Sequence, residues 1–462
     1  MKVLIDPGIM PVAGMVEFRR RAMHEASFIT DNAALHDEYR RSDPAASPAL
    51  YPRFGELRSG GDGALHLRAD PVKIWQKLID DHQTLMIYDR TAGAHLSNSL
   101  KIALIIDYVV QCQVYLEATR PDILVYMATP HDIVRWVFAR VAEELGVRVQ
   151  YFQETLLPWR FALMEGIIRD AVPVVPPAVA TSANEAALAA DYVKRKQGTF
   201  DEAFPRYERD RLNRNRGRYY DFRKDLVRSW KRPDLMLNKA LCYRAYQSLS
   251  REAVEGDKFA IFFMHFQPER TTLPEGYGFA QQLAAIIALA AALPTGTKLY
   301  VKEHPTTFTH DCMWKERLPF WYRLIDKIEN VQVLPIGADP YELMDRSVCV
   351  STIAGTVAGE ALIRGKPVVI FGRGSISLAQ TPGLHKYVEQ QDLRAFLEDL
   401  ETARPTRFNL SDYFNDIVGK TYSGAEGYRD FDAIQSHLEQ VRFSALFDAF
   451  ADIMGVPENR AA

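Results

Sequence analysis

Val301-Lys302-Glu303-His304-Pro305 and, about fifty residues later, Ser351-Thr352-Ile353-Ala354-Gly355-Thr356-Val357-Ala358-Gly359-Glu360-Ala361 decide how this chain is read. The first stretch closes an apolar strand pattern with two cationic or protonatable side chains. The second runs from a strand, through small residues, into a helix. Both are predicted at the carboxyl ends of strands in one α/β sheet, where open sheets of this kind bind ligands. Together they read as a pocket for a phosphate attached to a nucleotide.

Each residue type has a reason to be there. In extended chain, alternate side chains such as Lys302 and His304 face the same way, and Pro305 stops the strand and directs the next loop. Small residues around Gly355 let backbone approach a ligand, and the start of the next helix offers unpaired N–H groups. The hydroxyls of Ser351, Thr352 and Thr356 can add hydrogen bonds to phosphate oxygens. Glu360, one turn into the helix, can accept from ribose hydroxyls. A tight strand–helix crossing with a capping hydroxyl and a structural histidine is the competing reading, and the segments taken singly leave it open.

Outward from these segments, the second half alternates regularly. Strands are predicted at 259–264, 299–301, 331–334, 348–350 and 367–371, and helices at 280–293, 321–328, 339–345 and 356–363. Asp339-Pro340 is a cap followed by proline at the first helical position. His265-Phe266-Gln267-Pro268-Glu269 leaves the first of these strands, which places His265, Gln267 and Glu269 among the candidate donor-site residues. In the first half, strands are predicted at 2–5, 84–88, 123–127 and 148–152, with helices at 100–118 and 133–145. Asp132 caps the latter and Gly146 ends it. Strand–helix–strand at this spacing implies parallel pairing. Two strand exits of this half, Thr129-Pro130-His131-Asp132 and Gln153-Glu154-Thr155, supply His131 and Glu154 as candidate general bases. Asp6 and Asp89 share that logic with weaker support.

At 462 residues two domains are the expectation. The expected division is an acceptor domain at 1–180, a helical basic insertion or connector at 181–255, a nucleotide-sugar domain at 256–425 and helices at 426–462 that pack back on the first domain, with Phe443, Leu446, Phe447, Phe450 and Ile453 on one face. The insertion carries Arg206, Arg209, Arg211, Arg214, Arg216, Arg218, Arg223, Lys224, Arg228, Lys231 and Arg232 with Tyr207, Tyr219, Tyr220, Phe222 and Trp230 between them. Interspersed acids (Glu208, Asp210, Asp221, Asp225) weigh toward a solvated insertion. Peripheral contact with the inner face of a membrane through 206–232 stays open. A net charge of −3 gives no reason to expect nucleic acid. Four cysteines without paired spacing argue against a zinc site or disulfides and fit a reducing compartment. The longest apolar run, 283–293, is shorter than the roughly 20 residues a membrane span needs, and a cytoplasmic location is expected. Asp430-Phe431-Asp432 reads as a helix start rather than a metal motif, Gly372-Arg373-Gly374 alone is a weak signal, and a Walker-type phosphate loop is missing from the sequence.

Residues 258–372 resemble the capsule polysaccharide synthesis family, which includes bacterial 3-deoxy-manno-octulosonic acid (Kdo) transferases. The matching segments are His265 to Glu269, Lys302-Glu303-His304-Pro305, and Ser351-Thr352 with Gly355 to Ala361. The His-Pro and Ser/Thr pairs are also similar to those of bacterial sialyltransferases. The resemblance implies an α/β architecture of two Rossmann-like domains facing a cleft (GT-B), with donor nucleotide on the second domain and acceptor on the first. It implies His304 and the Ser351/Thr352 pair at the donor phosphate. The expected function is therefore transfer of a sugar, most simply a CMP-activated acidic sugar such as Kdo, to a surface glycan or glycolipid. No permanently bound cofactor and no metal are expected. A CDP-glycerol-type phosphotransferase, a UDP-sugar 2-epimerase and a noncatalytic nucleotide-sugar-binding protein are the rivals.

Overall fold

A computed structural model describes residues 1–8, 12–21, 26–44, 48–52, 70–91, 96–157, 159–167, 170–175, 183–204, 206–214, 218–224, 233–267, 269–309, 317–388, 392–402 and 409–423. The proposed C-terminal helices at 426–462, Asp430-Phe431-Asp432, Pro268, and the insertion residues Arg216, Arg228, Trp230, Lys231 and Arg232 lie outside them. The chain forms two compact units. One comprises Met1–Val179 with the chain from Val418 onward; the other is Ala180–Ile417.

The first unit is built on β1 (Val3–Asp6), β2 (Ala26–Thr30), β3 (Ala49–Leu50), β4 (Ile123–Tyr126), β5 (Arg148–Glu154), β6 (Arg160–Glu165) and β7 (Val172–Val174). Strands β3, β2, β1, β4 and β5 lie side by side in that order, all parallel. β1 and β4 are buried along their whole length, which is why they read as unbroken apolar runs. The short link 155–159 cannot make a crossover, so β6 turns back antiparallel to β5. Helix Ile133–Glu144 starts where the Asp132 carboxylate accepts from the Arg135 N–H and ends at Gly146, whose φ is +79°. Helix Asn98–Thr119 is by length and composition long enough to cross a bilayer. Here it buries Ile105, Tyr108, Val109 and Cys112 and packs against helices Pro71–Asp80 and Ile133–Glu144.

One strand expectation fails. Residues 84–88 belong to helix His82–Thr91. The Asp81 side chain accepts from the Gln83 N–H at 3.0 Å, and the buried positions Thr84, Ile87 and Tyr88 recur at helical spacing. Asp89 is therefore no strand exit; it pairs with Lys101 at 2.7 Å.

The second unit contains β8 (Phe259–Phe263), β9 (Lys298–Lys302), β10 (Val331–Val333), β11 (Cys349–Thr352), β12 (Val368–Ile370) and β13 (Leu384–Lys386). All pair in parallel, in the order β10-β9-β8-β11-β12-β13. Counted from β8 this is 3-2-1-4-5-6, the doubly wound order. A final strand, β14 (Tyr422–Ser423), returns to β6 of the first unit, held by Arg160, whose guanidinium donates to Thr421 Oγ1 at 2.8 Å and to the Thr421 carbonyl at 2.7 Å. The chain thus holds two Rossmann-like α/β units. Helices Ala183–Gln197, Phe200–Ala203, Arg206–Arg214 and Pro233–Leu249, from the span read as a connector, belong to the second unit. Tyr219 and Tyr220 pack against its hydrophobic core.

Candidate functional site

In a parallel sheet wound both ways from its first strand, the helices after β8 and β11 leave to opposite faces and open a crevice between those strands. Two exits meet there. The backbone of His265, just past β8, is pinned by Gln282: its N–H donates to Gln282 Oε1 at 2.8 Å, and Gln282 Nε2 donates to its carbonyl at 3.0 Å. The ring is buried. The Ala354 N–H donates to its Nε2 at 3.3 Å, and Thr352 Oγ1 lies 3.0 Å from the same nitrogen. Nε2 is therefore the acceptor, and Nδ1 carries the proton, which it gives to Glu269 Oε1 at 2.5 Å. The Thr271 hydroxyl also donates to that carboxylate.

Gly355 lies over this ring. A Cβ there would stand 3.0 Å from His265 Cε1 and 3.1 Å from Thr352 Oγ1. Two further glycines do related work. The Gly372 N–H donates to the Ile353 carbonyl and the Arg373 N–H to the Glu275 carbonyl, each at 2.8 Å. A Cβ on Gly372 would come within 2.5 Å of the Glu275 carbonyl, and one on Gly374 would strike the Ala354 backbone. The exits of β8, β11 and β12 are stitched together backbone to backbone.

The exit of β9 points its three polar residues three ways. Glu303 is fully buried. Its carboxylate takes the Arg317 guanidinium at 2.8 Å, the Tyr322 hydroxyl at 2.6 Å and the Thr307 hydroxyl at 3.1 Å. Arg317 also donates to Gln267 Oε1 at 3.0 Å and to the His265 carbonyl at 2.7 Å, while Gln267 Nε2 donates to the Ala280 carbonyl. Gln267 thus braces the exits of β8 and β9. Lys302 reaches to the β10 side and donates to the Ile336 carbonyl at 3.0 Å. Burial pulls its ammonium down to about 8. With Pro305 and residues 336–340 it lines a half-open cavity of about 520 Å³, bordered also by Phe200, Phe204, Arg209 and Tyr219. His304 turns to the β8 side, its ring edge-on to Phe266 at 5.2 Å. Its Nδ1 accepts from the Thr306 N–H at 3.3 Å, which leaves the proton on Nε2. The expectation that Lys302 and His304 face one way is corrected: the strand ends at Lys302, so the alternation does not extend to 304.

Two more donor-site assignments change. Ser351 lies inside β11, fully buried, and its hydroxyl donates to the Val369 carbonyl of β12 at 3.0 Å. Glu360 pairs with Lys196 at 2.7 Å, so its carboxylate ties helix Val357–Ile363 to helix Ala183–Gln197. Thr356 begins that helix without a side-chain cap and is exposed. The structure therefore gathers His265, Glu269, Thr352 and Gly355 at the crevice, and Lys302 and Pro305 at the cavity, with His304 beside Phe266. Thr271 and Arg317 are site residues that the sequence does not single out, and the glycines at 372 and 374, a weak signal in sequence, prove to hold the strand exits together.

In the first unit, the His131 Nδ1–H donates to the Thr129 carbonyl at 2.8 Å, and Glu154 is the exposed last residue of β5. The crevice between β1 and β4 is filled. Asp6 accepts from Arg135 Nε at 2.6 Å, the Tyr51 hydroxyl at 2.7 Å and the Gly8 N–H at 2.9 Å. Burial raises its carboxyl above the usual range, against the pull of Arg135. Arg135 also pairs with Asp31 and Asp132, each at 2.8 Å.

No family model matches the chain, and no curated protein matches it. Among solved structures, it is similar to the β-Kdo 2,7-transferase of Thermosulfurimonas dismutans KpsC, at 8% identity over 78% of this chain and 95% of that one, with a TM-score of 0.33. The β-Kdo 2,4-transferase of the same KpsC matches at 13% identity over 65% and 88%, TM-score 0.29. A UDP-GlcNAc 2-epimerase from Methanocaldococcus jannaschii, in complex with UDP-GlcNAc and UDP, matches at 12% identity over 90% and 98%, TM-score 0.24. Superpositions at this level leave the fold to rest on strand order and register.

Proposed function

We propose that the second unit holds the nucleotide of a nucleotide-linked sugar and that the chain is a glycosyltransferase, moving a CMP-activated acidic sugar such as Kdo to a surface glycan or glycolipid in the cytoplasm. One observation carries this reading: a glycine-covered crevice between β8 and β11 and a cavity at the ends of β9 and β10 adjoin along a single sheet edge, with His304 at the exits in between. The cavity is of the size that takes a small ligand, and Tyr219 lies beside Gly337 on its wall. The Nε2–H of His304 is a donor for the charge that grows on the leaving phosphate as the glycosidic bond breaks, a task otherwise given to a metal. The first unit would hold the acceptor, with His131 and Glu154 as the groups that take its proton.

A second reading has its own support. His265, with its Nδ1–H held by Glu269, is a buried acid–base pair. A UDP-sugar 2-epimerase needs proton transfer within one site and no acceptor. A thermal-shift panel of CMP, CDP, UDP, GDP and ADP, with product analysis, separates the two. The first reading expects CMP to raise the melting temperature most, and His304→Ala to abolish that shift and slow donor turnover by about 100-fold. A uridine preference with interconversion of free sugars would select the second. Unchanged kinetics in His304→Ala would remove the first.

A further inference from the structure

Six of the fourteen exposed large apolar side chains among the described residues crowd onto one face of the second unit. They are Leu237 and Leu241 on helix Pro233–Leu249, Leu318, Phe320 and Leu324 on and just before helix Pro319–Asp326, and Ile287 on helix Gln282–Ala292. Phe320 is 56% exposed and Leu237 58%. The middle helix packs against both others. Each helix buries its opposite side, through Cys242 and Tyr246, Trp321 and Ile325, and Ile286 and Leu289, so the outward residues are surplus to the core. Helix Gln282–Ala292 has no polar side chain after its first residue and exposes Ala284, Ile287 and Ala291. A soluble surface helix ordinarily turns a polar face outward. A contiguous apolar area of this kind marks a contact surface.

The charges on this face select the occupant. Along the first two helices the exposed ionic residues are Asp234, Arg244 and Arg323; Lys327 follows directly and the exposed Glu329 lies two residues further on. Asp326, half-buried between Arg323 and Lys327 in sequence, is turned to Arg251 at 2.9 Å, so the cations outnumber the acids around the apolar residues. A second copy of the chain, docked by two-fold symmetry, would set these cations against their own images. Apolar side chains interleaved with cations instead complement the boundary between anionic headgroups and acyl chains. We propose that this face docks the protein on an anionic bilayer, with Phe320 and Leu324 entering the acyl boundary and Arg244, Arg323 and Lys327 meeting the headgroups. The inference does not depend on which nucleotide the chain binds.

The test is co-sedimentation of the full chain with vesicles of phosphatidylcholine alone and of phosphatidylcholine mixed with an equal amount of phosphatidylglycerol. Binding is expected on the anionic vesicles, weakened by salt and lowered at least about tenfold in the double variant Phe320→Ser/Leu324→Ser. Arg323→Gln/Lys327→Gln, which touches no packed contact, should lower it as well with an unchanged melting temperature. Failure to bind anionic vesicles, or binding that both variants leave intact, overturns the proposal. So does a concentration-dependent dimer, seen by light scattering, that Phe320→Ser/Leu324→Ser dissolves; that result would give the face to a second copy.

Discussion

The two units wind their strands in the same order and treat the resulting crevice in opposite ways. Between β1 and β4 the first unit places Asp6, Arg135 and Tyr51, which satisfy one another, with Asp31 and Asp132 completing the cluster. Between β8 and β11 the second unit places a single buried histidine ring held by Glu269, with a threonine hydroxyl beside it and a glycine over it. One topological vacancy is thus closed by a cluster of ions and the other by one ring under a glycine. Strand order locates a crevice; the side chains at the strand exits decide how it is filled.

The strongest way to break this contrast is to empty the filled crevice. Asp6→Ala removes the one buried partner of the half-buried Arg135 and strands the Tyr51 hydroxyl. A loss of about 3 kcal/mol is expected from deleting the buried member of this charge pair, reduced if Arg135 leans further on Asp31 and Asp132. Urea unfolding followed in each unit should show the loss confined to the first, with nucleotide-induced stabilisation of the second retained. Equal destabilisation of both units, or none, would mean that the ion cluster is not what seals the first crevice.

The converse experiment crowds the second crevice. In Gly355→Ala the new methyl meets a ring whose two nitrogens are both held, so the ring cannot retreat and the loop must move. Nucleotide affinity should fall about tenfold, the equivalent of roughly 1.4 kcal/mol, with a smaller loss in unfolding free energy. Calorimetric titration with CMP checks it. Undiminished affinity would make Gly355 a packing residue and remove the functional side of the contrast.

Much of this was legible in the sequence because the parallel strands are buried on both faces. Ala260-Ile261-Phe262, Leu299-Tyr300-Val301 and Val368-Val369-Ile370 need no partner to announce themselves, and Asp339-Pro340 and Gly365 mark the boundaries of the helices between them. The helix at 82–91 was not legible: its apolar core, Leu85 to Tyr88, is too short to tell period two from period 3.6. Nor was β14, whose anchor Arg160 lies 261 residues from Thr421. At the site, residue types were legible but their directions were not. Glu303 stands between Lys302 and His304 as one more polar residue in sequence. In space it is the counter-ion of Arg317, a residue with no local mark of its role. Direction depends on where a strand stops, and strand ends are the least certain part of any pattern.

The smallest expected effect probes that last point most sharply. Ser351 and Thr352 are neighbours of the same chemistry, yet the first hydroxyl bonds only to a sheet carbonyl, while the second, which donates to the Phe263 carbonyl at 3.0 Å, also lies against His265 Nε2. Ser351→Ala deletes a hydrogen bond to the Val369 carbonyl, which still has the sheet around it, and should cost about 1 kcal/mol of stability while leaving CMP affinity unchanged. Thr352→Val keeps the volume but removes the donor to the Phe263 carbonyl and the polar neighbour of His265 Nε2, so affinity should fall together with a loss of about 1 kcal/mol in stability. If the two variants behave alike in the titration, the one-residue alternation along β11 does not separate sheet from site, and the second crevice would have to be drawn wider than the exits of β8 and β11.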